Sequence, residues 1–301
     1  MTTKLITDTN QNKLWLAAIK PPMYSVAIMP IWLGTAIAWF QQKSINWGIF
    51  TTFVSAAILI LAWENIHNDV FDSETGIDKN KAHSLVNLTQ KKNLVFVIGL
   101  LCLTVGIVEI LLICWWQKDL TVIGLILGCC FLGYAYQGPP FRLGYQGLGE
   151  FLCFFAFGPL AVSAAYYSQT QSWSGVSFAA SIILGISTTL ILFCSHFHQV
   201  EDDLAAGKYS PIVRMGTKRG AQLLPVFCGI IFSITVIGII LGTFPVWTLL
   251  SFAGLPAAIK LCRHVGLNHD KPELISNCKY IAVSLHFWSG LLLGLGFVIH
   301  F

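Results

Sequence analysis

The sequence predicts an all-α polytopic membrane protein of about nine transmembrane helices, arranged as two similar four-helix units plus one around a central cavity. Three observations lead there. Mean hydropathy is +0.70, with 55% hydrophobic and only 11% charged residues, whereas a soluble domain carries roughly 25% charge. Nine apolar runs fill most of the 301 residues. A short polar pattern also occurs twice, at His67 and again at His198, each time where a long apolar run ends. On this reading residues 1–301 form a single integral-membrane domain with no room for a separate soluble one.

The elements follow in order. The opening segment, MTTKLITDTNQNKLWLAAIKPP, has no cleavage pattern and is too mixed in charge for a transit peptide, so the first span is expected to be retained. Spans are expected at 23–40, 46–66, 94–116, 120–137, 148–167, 176–195, 221–241, 244–261 and 280–300. A bilayer core of about 30 Å takes roughly 20 helical residues to cross. Glycines and prolines interrupt the fourth and eighth runs, where boundaries are least defined. Two loops, 67–93 and 198–220, are long and polar, and 138–147 and 262–279 are the other substantial ones. With nine spans, the N-terminus and these even-numbered loops share one side. That side collects 16 of the 18 Lys and Arg residues, leaving Lys43 and Lys118 opposite. This positive-inside bias puts the N-terminus and both polar loops in the cytoplasm and the C-terminus on the other face. The net charge of +4 then reflects topology and an anionic substrate, not nucleic acid. Nine cysteines without CxxC spacing and eight histidines without HExxH spacing read as packing residues, not a zinc or haem site.

The repeated pattern is the chemical signal. His67-Asn68-x3-Asp72-x3-Gly76 corresponds to His198-Gln199-x3-Asp203-x3-Gly207 at a constant offset. Asp69, Glu74 and Asp78 flank the first copy, Glu201 and Asp202 the second, so seven of only 14 acidic residues sit here. Four spans separate the copies, so the repeat is parallel and both can face one cavity. Polar groups are tolerated at membrane depth where they line a cavity. Glu64, Asn68, Asp72 and Gly76 follow at four-residue spacing and share one helix face. Glu64 sits deepest in its span, where a charge costs about 2.5–3.5 kcal/mol. Asp69, Glu74 and Asp78 have the alternative role of decorating a solvated loop.

Facing carboxylates need a counter-cation. Magnesium suits oxygen ligands supplied by one or two carboxylates, water and substrate phosphate, while calcium is normally wrapped more fully by protein oxygens. Lys79, Lys81, Lys208 and Arg214 stand nearby, either to bind phosphate oxygens or as topogenic charge. Metal and basic residues beside a greasy cavity imply a substrate with a diphosphate head and an apolar tail, and a reaction that ionises an allylic diphosphate. The residues alone leave the acceptor open. Tyr134 and Tyr136 read as substrate contacts or packing, and Glu150 as acceptor-positioning or as a favourable acid at a helix start. Glu109 reads as packing or snorkelling near the outer end of the third span, and Trp115-Trp116 as an outer interfacial anchor.

These motifs carry a family resemblance. NDVFDSETGID (68–78) with VEDDLAAGK (200–208) resembles the paired acidic motifs of the UbiA superfamily of intramembrane prenyltransferases. IKPPMYSVAIMPIWLGTA (19–36) resembles the family's first helix, with Lys20-Pro21 where Arg-Pro is usual. YAYQGPPFRLGYQGLGE (134–150) resembles the menaquinone and phylloquinone branch, and HFHQVEDDLAAGKYSPIVRMGT (196–217) is similar to the cyanobacterial and plant enzymes of that branch that use phytyl diphosphate and a carboxylated naphthoquinone. The resemblance implies a cyanobacterial inner or thylakoid membrane. It implies Mg2+ held by Asn68, Asp72, Gln199, Asp203, Glu201 and Asp202, with Asn68, Asp72 and Asp203 central to catalysis. It implies diphosphate contacts from Lys20, Lys79, Lys81, Lys208 and Arg142, and a substrate cavity lined by Glu64, Tyr134, Tyr136 and Glu150. Gln199 departs from the Asp usual in many relatives: an amide ligates magnesium without bringing charge, which throws weight onto Asp203, Glu201 or Asp202. The implied reaction transfers phytyl to the reduced naphthoquinone, at the carbon bearing the carboxylate, with loss of carbon dioxide. Alternative acceptors are 1,4-dihydroxy-2-naphthoate with a longer polyprenyl donor, and homogentisate. A secondary transporter or a structural subunit are the readings from other classes. Transporter sites lie near the midplane between inverted repeats, whereas this repeat is parallel and cytoplasmic.

Overall fold

The computed structural model describes residues 2–77, 81 and 83–299. Nine membrane-scale helices organise it. We label them α1 (Ser25–Gln42), α2 (Trp47–Thr75), α3 (Lys92–Gln117), α4 (Thr121–Gln137), α5 (Gly149–Thr170), α6 (Gly175–Ser195), α7 (Thr217–Ile240), α8 (Val246–Asn268) and α9 (Cys278–Val298). Eight of these segments are long and apolar enough to span; α4 is the shorter, apolar ninth. No strand occurs among the described residues. The two interrupted runs are irregular in different ways. α4 has only 17 residues, and the first nine residues of α8 form a 3-10 helix.

Local sequence sets the ends. The Asn46 side chain accepts from the Ile49 amide at 3.1 Å and starts α2, while Ser174 accepts from Ser177 at 3.3 Å and starts α6, satisfying otherwise orphaned amides. Gly76, in the left-handed region at φ 78°, stops α2. At about 1.5 Å per residue, the 29 residues of α2 reach roughly 44 Å, well beyond a bilayer core of about 30 Å. The expected loop beginning at residue 67 is therefore helical as far as Thr75, which carries the first motif beyond the apolar run on a rigid rod. The expected loop 262–279 is likewise mostly helical, through the end of α8 and a short Pro272–Ile275 helix.

Packing divides into two buried clusters. One joins α2, α3 and α4 through Phe53, Ile110, Ile113 and Val122; the other joins α6 to α9 through Leu184, Leu224, Leu261 and Leu293. α1 and α5 contribute to both. Their crossing is close: a Cβ on Gly34 would lie 2.6 Å from the Val162 carbonyl. Gly158 and Gly185 bring α5 against α6 in the same way, with an added Cβ at 2.8 Å. Small residues permit such backbone approach where lipid gives helices no hydrophobic incentive to associate. The outward face of α3 exposes Leu101, Val105, Val108 and Leu112, an apolar stripe suited to acyl chains. Lys118 sits 4.1 Å over the Trp115 ring at the same end of α3, and Glu109 accepts a 2.9 Å hydrogen bond from Ser55 in the helix interface.

Candidate active site

One polar cavity of about 460 Å³ opens between the helices. α2 lines it with Glu64, Asn65, Asn68 and Asp72, which share a face as their spacing requires. The chain leaving α6 lines it with His198, Gln199, Asp202 and Asp203. Lys20, Lys81, Lys208 and Lys279 add four ammonium groups, with Tyr136 and Gln137 contributed by α4.

The two motif copies are alike in sequence and unlike in conformation. The first lies on the unbroken α2. The second follows a 3-10 turn, His196–His198, and occupies a six-residue helix, Val200–Ala205. Both end at a left-handed glycine, Gly76 at φ 78° and Gly207 at φ 71°, a backbone state that costs glycine little. His67 and His198 also differ. His67 is buried against Phe96 with Nδ1 3.2 Å from the Trp63 carbonyl, whereas His198 lines the cavity.

Side-chain partners fix the carboxylates. Asp203 is fully buried; its Oδ2 is 3.2 Å from His196 Nδ1 and its Oδ1 is 3.4 Å from Lys208 Nζ. Burial works to raise the Asp203 pKa, but the hydrogen bond to His196 and the Lys208 charge outweigh it and hold the carboxyl below its ordinary value. Asp203 Oδ1 accepts no hydrogen bond among the described residues. Asp72 Oδ1 accepts from the Tyr145 hydroxyl at 3.1 Å, and burial, with the Asp72 charge, pushes the tyrosine pKa above its usual value, so it stays a donor. The Tyr145 ring lies 5.9 Å from Lys208 Nζ and its carbonyl accepts from the Tyr209 amide at 2.8 Å. The 138–148 loop thus ties the two motifs together. Asn68 donates to the buried Gln137, which in turn donates to the Glu64 carbonyl at 3.1 Å.

Several expected residues are placed elsewhere. Asp69 is not solvated loop decoration: it is buried behind the cavity, accepting from Lys81 at 3.0 Å and from the Leu85 amide at 2.8 Å, with Lys20 at 3.8 Å. One residue's step around the helix turns it from the cavity face. Arg142 is outside the lining and pairs at 3.2 Å with Glu74, which also meets Lys92 at 2.7 Å. Arg214 donates to the carbonyls of Tyr209 and Gln146 at 3.0 and 2.9 Å. Glu201 is exposed and off the cavity wall. Tyr134 donates to the Pro139 carbonyl at 2.6 Å and packs on Phe71 outside the lining. Glu150, in the first turn of α5, faces His196 Nε2 at 3.6 Å. Lys79 and Asp78 lie outside the described residues. Nothing in the sequence pattern marks Gln137, Tyr145 and His196, whose partners are 69, 73 and 7 residues away in the chain.

Residues 27–297 match the sequence profile of the UbiA prenyltransferase family. The chain belongs to that family. Among UbiA-type relatives, it is 56% identical over 285 residues to 2-carboxy-1,4-naphthoquinone phytyltransferase of Synechocystis sp., covering 95% of this chain and 93% of the relative. It is 39% identical to the chloroplastic enzyme of that name from Arabidopsis thaliana, covering 95% and 77%. It is 24% identical to 1,4-dihydroxy-2-naphthoate octaprenyltransferase of Bacillus subtilis, covering 94% and 91%. The UbiA fold is shared with a solved digeranylgeranylglyceryl phosphate synthase (TM-score 0.61, 16% identity, covering 96% and 99%). It is also shared with a UbiA homologue from Archaeoglobus fulgidus solved with DMAPP and Mg2+ (TM-score 0.56, 13% identity, covering 93% and 98%).

The donor set fits a magnesium site of the kind this family implies. Among the described residues no three His, Cys, Asp or Glu side chains converge as a complete metal cage. A buried carboxylate oxygen without a hydrogen bond, Asp203 Oδ1, lies instead on the wall of an open polar cavity. A hard divalent ion sharing its shell with substrate phosphate and water needs only one or two such carboxylates.

Proposed function

We propose that this chain transfers a phytyl group from phytyl diphosphate to the reduced form of 2-carboxy-1,4-naphthoquinone, with loss of carbon dioxide, as a step in phylloquinone biosynthesis. The single observation that carries the substrate pair is the 56% identity to the Synechocystis enzyme across 95% of the chain. The cavity supports it from the chemistry side: carboxylates, amides and lysines gather on its wall, together with apolar Leu61, Phe157, Ile191 and Leu192.

In this reading Asn68 and Asp72 from one motif and Asp203, with Gln199 and Asp202, from the other would hold magnesium and, through it, the diphosphate. Magnesium supplies the positive charge that stabilises the departing diphosphate. Lys20, Lys81 and Lys208 bind its oxygens. Tyr145 and His196 hold Asp72 and Asp203 in orientation, the role that outer hydrogen bonds play around ligands. The allylic C–O bond breaks with its electrons leaving on the diphosphate. The ring carbon bearing the carboxylate then bonds to the phytyl carbon, and carbon dioxide departs, leaving its bonding pair to restore the aromatic ring. The helix walls exclude water that would otherwise capture the cation. The site faces the cytoplasm, with the C-terminus on the opposite side, in a cyanobacterial inner or thylakoid membrane. The whole chain acts as one domain, built as two four-helix units, α1–α4 and α5–α8, with α9 appended. The sixteen-to-two distribution of basic residues supports the orientation, and the matched motifs at the end of α2 and just after α6 support the repeat.

Purified protein in detergent, given phytyl diphosphate, magnesium and the naphthoquinone kept reduced anaerobically, should form a prenylated lipid product. Absence of product with any prenyl donor would overturn the assignment.

A further inference from the structure

Glu64 stands where three spaces meet. It lines the polar cavity of about 460 Å³, an apolar pocket of about 60 Å³ between α1, α2, α4 and α5, and a side pocket of about 110 Å³ between α4, α5 and α6. Phe157 is the other residue common to all three, on the π-helical turn Ala156–Leu160 inside α5. Leu61, Ile126, Cys129 and Cys153 supply apolar surface around them. The Glu64 carboxylate leans over Gly133, where an added Cβ would sit 3.4 Å from Oε1. No described side chain or amide donates a hydrogen bond to it. It is two helical turns, about 12 Å along α2 at 1.5 Å per residue, from Asp72.

Glu64 is half-buried and faces the cavity, so its carboxylate oxygens are open to a donor on a ligand bound there. The prenyl diphosphate offers none: its head is anionic and its tail has no polar hydrogen. Of the two reactants in the proposed reaction, on which this inference rests, the one that carries donors is the reduced acceptor, with two ring hydroxyls. The hydroxyl beside the acceptor's carboxylate is internally hydrogen-bonded, and drawing it to Glu64 would bring two negative charges together. We infer that Glu64 is the acceptor-binding residue that takes a hydrogen bond from the ring hydroxyl remote from the acceptor's carboxylate, while the ring lies against Phe157. This contact sets the ring across the inner end of the cavity and turns its carboxylate-bearing carbon toward the diphosphate end. Specificity follows from the same contact, because a site built to bond a hydroxyl rejects an analogue that lacks it.

The test compares wild type, Glu64→Leu and Glu64→Gln with the reduced acceptor and its 4-O-methyl ether, at varied phytyl diphosphate. Wild type should show an acceptor KM at least tenfold higher for the ether. Glu64→Leu should raise the KM for the parent acceptor at least tenfold, leave that for phytyl diphosphate within twofold, and no longer distinguish the two acceptors. Glu64→Gln, isosteric and still able to accept, should raise the acceptor KM severalfold and keep part of the discrimination, which covers the case in which the leucine variant fails to fold. An unchanged acceptor KM in both variants, persistent discrimination in Glu64→Leu, or an effect confined to the diphosphate KM would overturn the assignment of Glu64 while wild-type turnover still upholds the reaction. Absence of wild-type turnover would overturn both.

Discussion

Tyr145→Phe removes one hydroxyl and leaves the ring beside Lys208. That hydroxyl donates to Asp72 Oδ1 at 3.1 Å, and a hydrogen bond to a charged group contributes about 1.5–3 kcal/mol. Tyr145 is only partly buried, so the lower end applies, about 1.5 kcal/mol or roughly tenfold in an equilibrium constant. Loss of a hydrogen bond that orients a metal ligand typically costs 10–100-fold in metal affinity, and the two estimates overlap near tenfold. Initial rates measured against magnesium, with both organic substrates saturating, should show the half-saturating metal concentration rising about tenfold. The acceptor KM should stay within twofold, because Tyr145 is not on the cavity wall. An unchanged magnesium curve, or an effect confined to the acceptor, would refute the role given to Tyr145 and weaken that of Asp72.

Asp72→Ala and Asp203→Ala should each lower turnover at least 100-fold while the proteins still elute as folded species in detergent; near-normal rates in both would reduce the acidic pair to topological decoration. Asp203, with its folded pKa lowered, contributes stability that is present above the unfolded value near 4 and lost as pH falls through the lower folded one. Melting temperature followed from pH 6 to 3 should therefore fall more steeply in wild type than in Asp203→Asn. His83 is lowered by burial and then by Lys81, Lys20 and Lys279, with Asp69 opposing. Its neutral form is favoured in the fold, so stability present above about pH 6.5 is lost as pH drops through the folded pKa, and His83→Gln should soften that loss between pH 6.5 and 5. Gly34→Ala places a methyl 2.6 Å from the Val162 carbonyl and should destabilise the α1–α5 crossing by about 1–3 kcal/mol, read as a lowered melting temperature in detergent.

Much of the architecture was legible because hydropathy reports how far a chain runs through lipid. It does not report where a helix stops. α2 leaves the apolar run at residue 66 yet continues to Thr75, since polar residues keep the same backbone ladder. The spacing of Glu64, Asn68 and Asp72 identified a shared face, and the cavity receives all three. The same reasoning failed at Asp69, where a loop was expected and a buried carboxylate with two lysines was found. The second motif shows a different limit: one spacing was folded in two ways, and nothing in the repeat distinguishes α2 from a 3-10 turn plus a short helix. Tyr145 and His196 were unmarked because their importance comes from what tertiary packing sets beside them. The one available hint was that both fall inside the stretches that carry the family resemblance.

The lining of the polar cavity also has a consequence for the order of events. Lys20, Lys81, Lys208 and Lys279 face Glu64, Asp72, Asp202 and Asp203, so the formal charges cancel, and Asp69 behind the wall tips the surroundings negative. The overall excess of basic residues therefore does not create an electrostatic sink at this spot. A bare diphosphate arriving there meets as much repulsion as attraction, and positive charge must come with it. On this count phytyl diphosphate is expected to bind weakly without magnesium, which titration of the metal-free protein with the diphosphate would check.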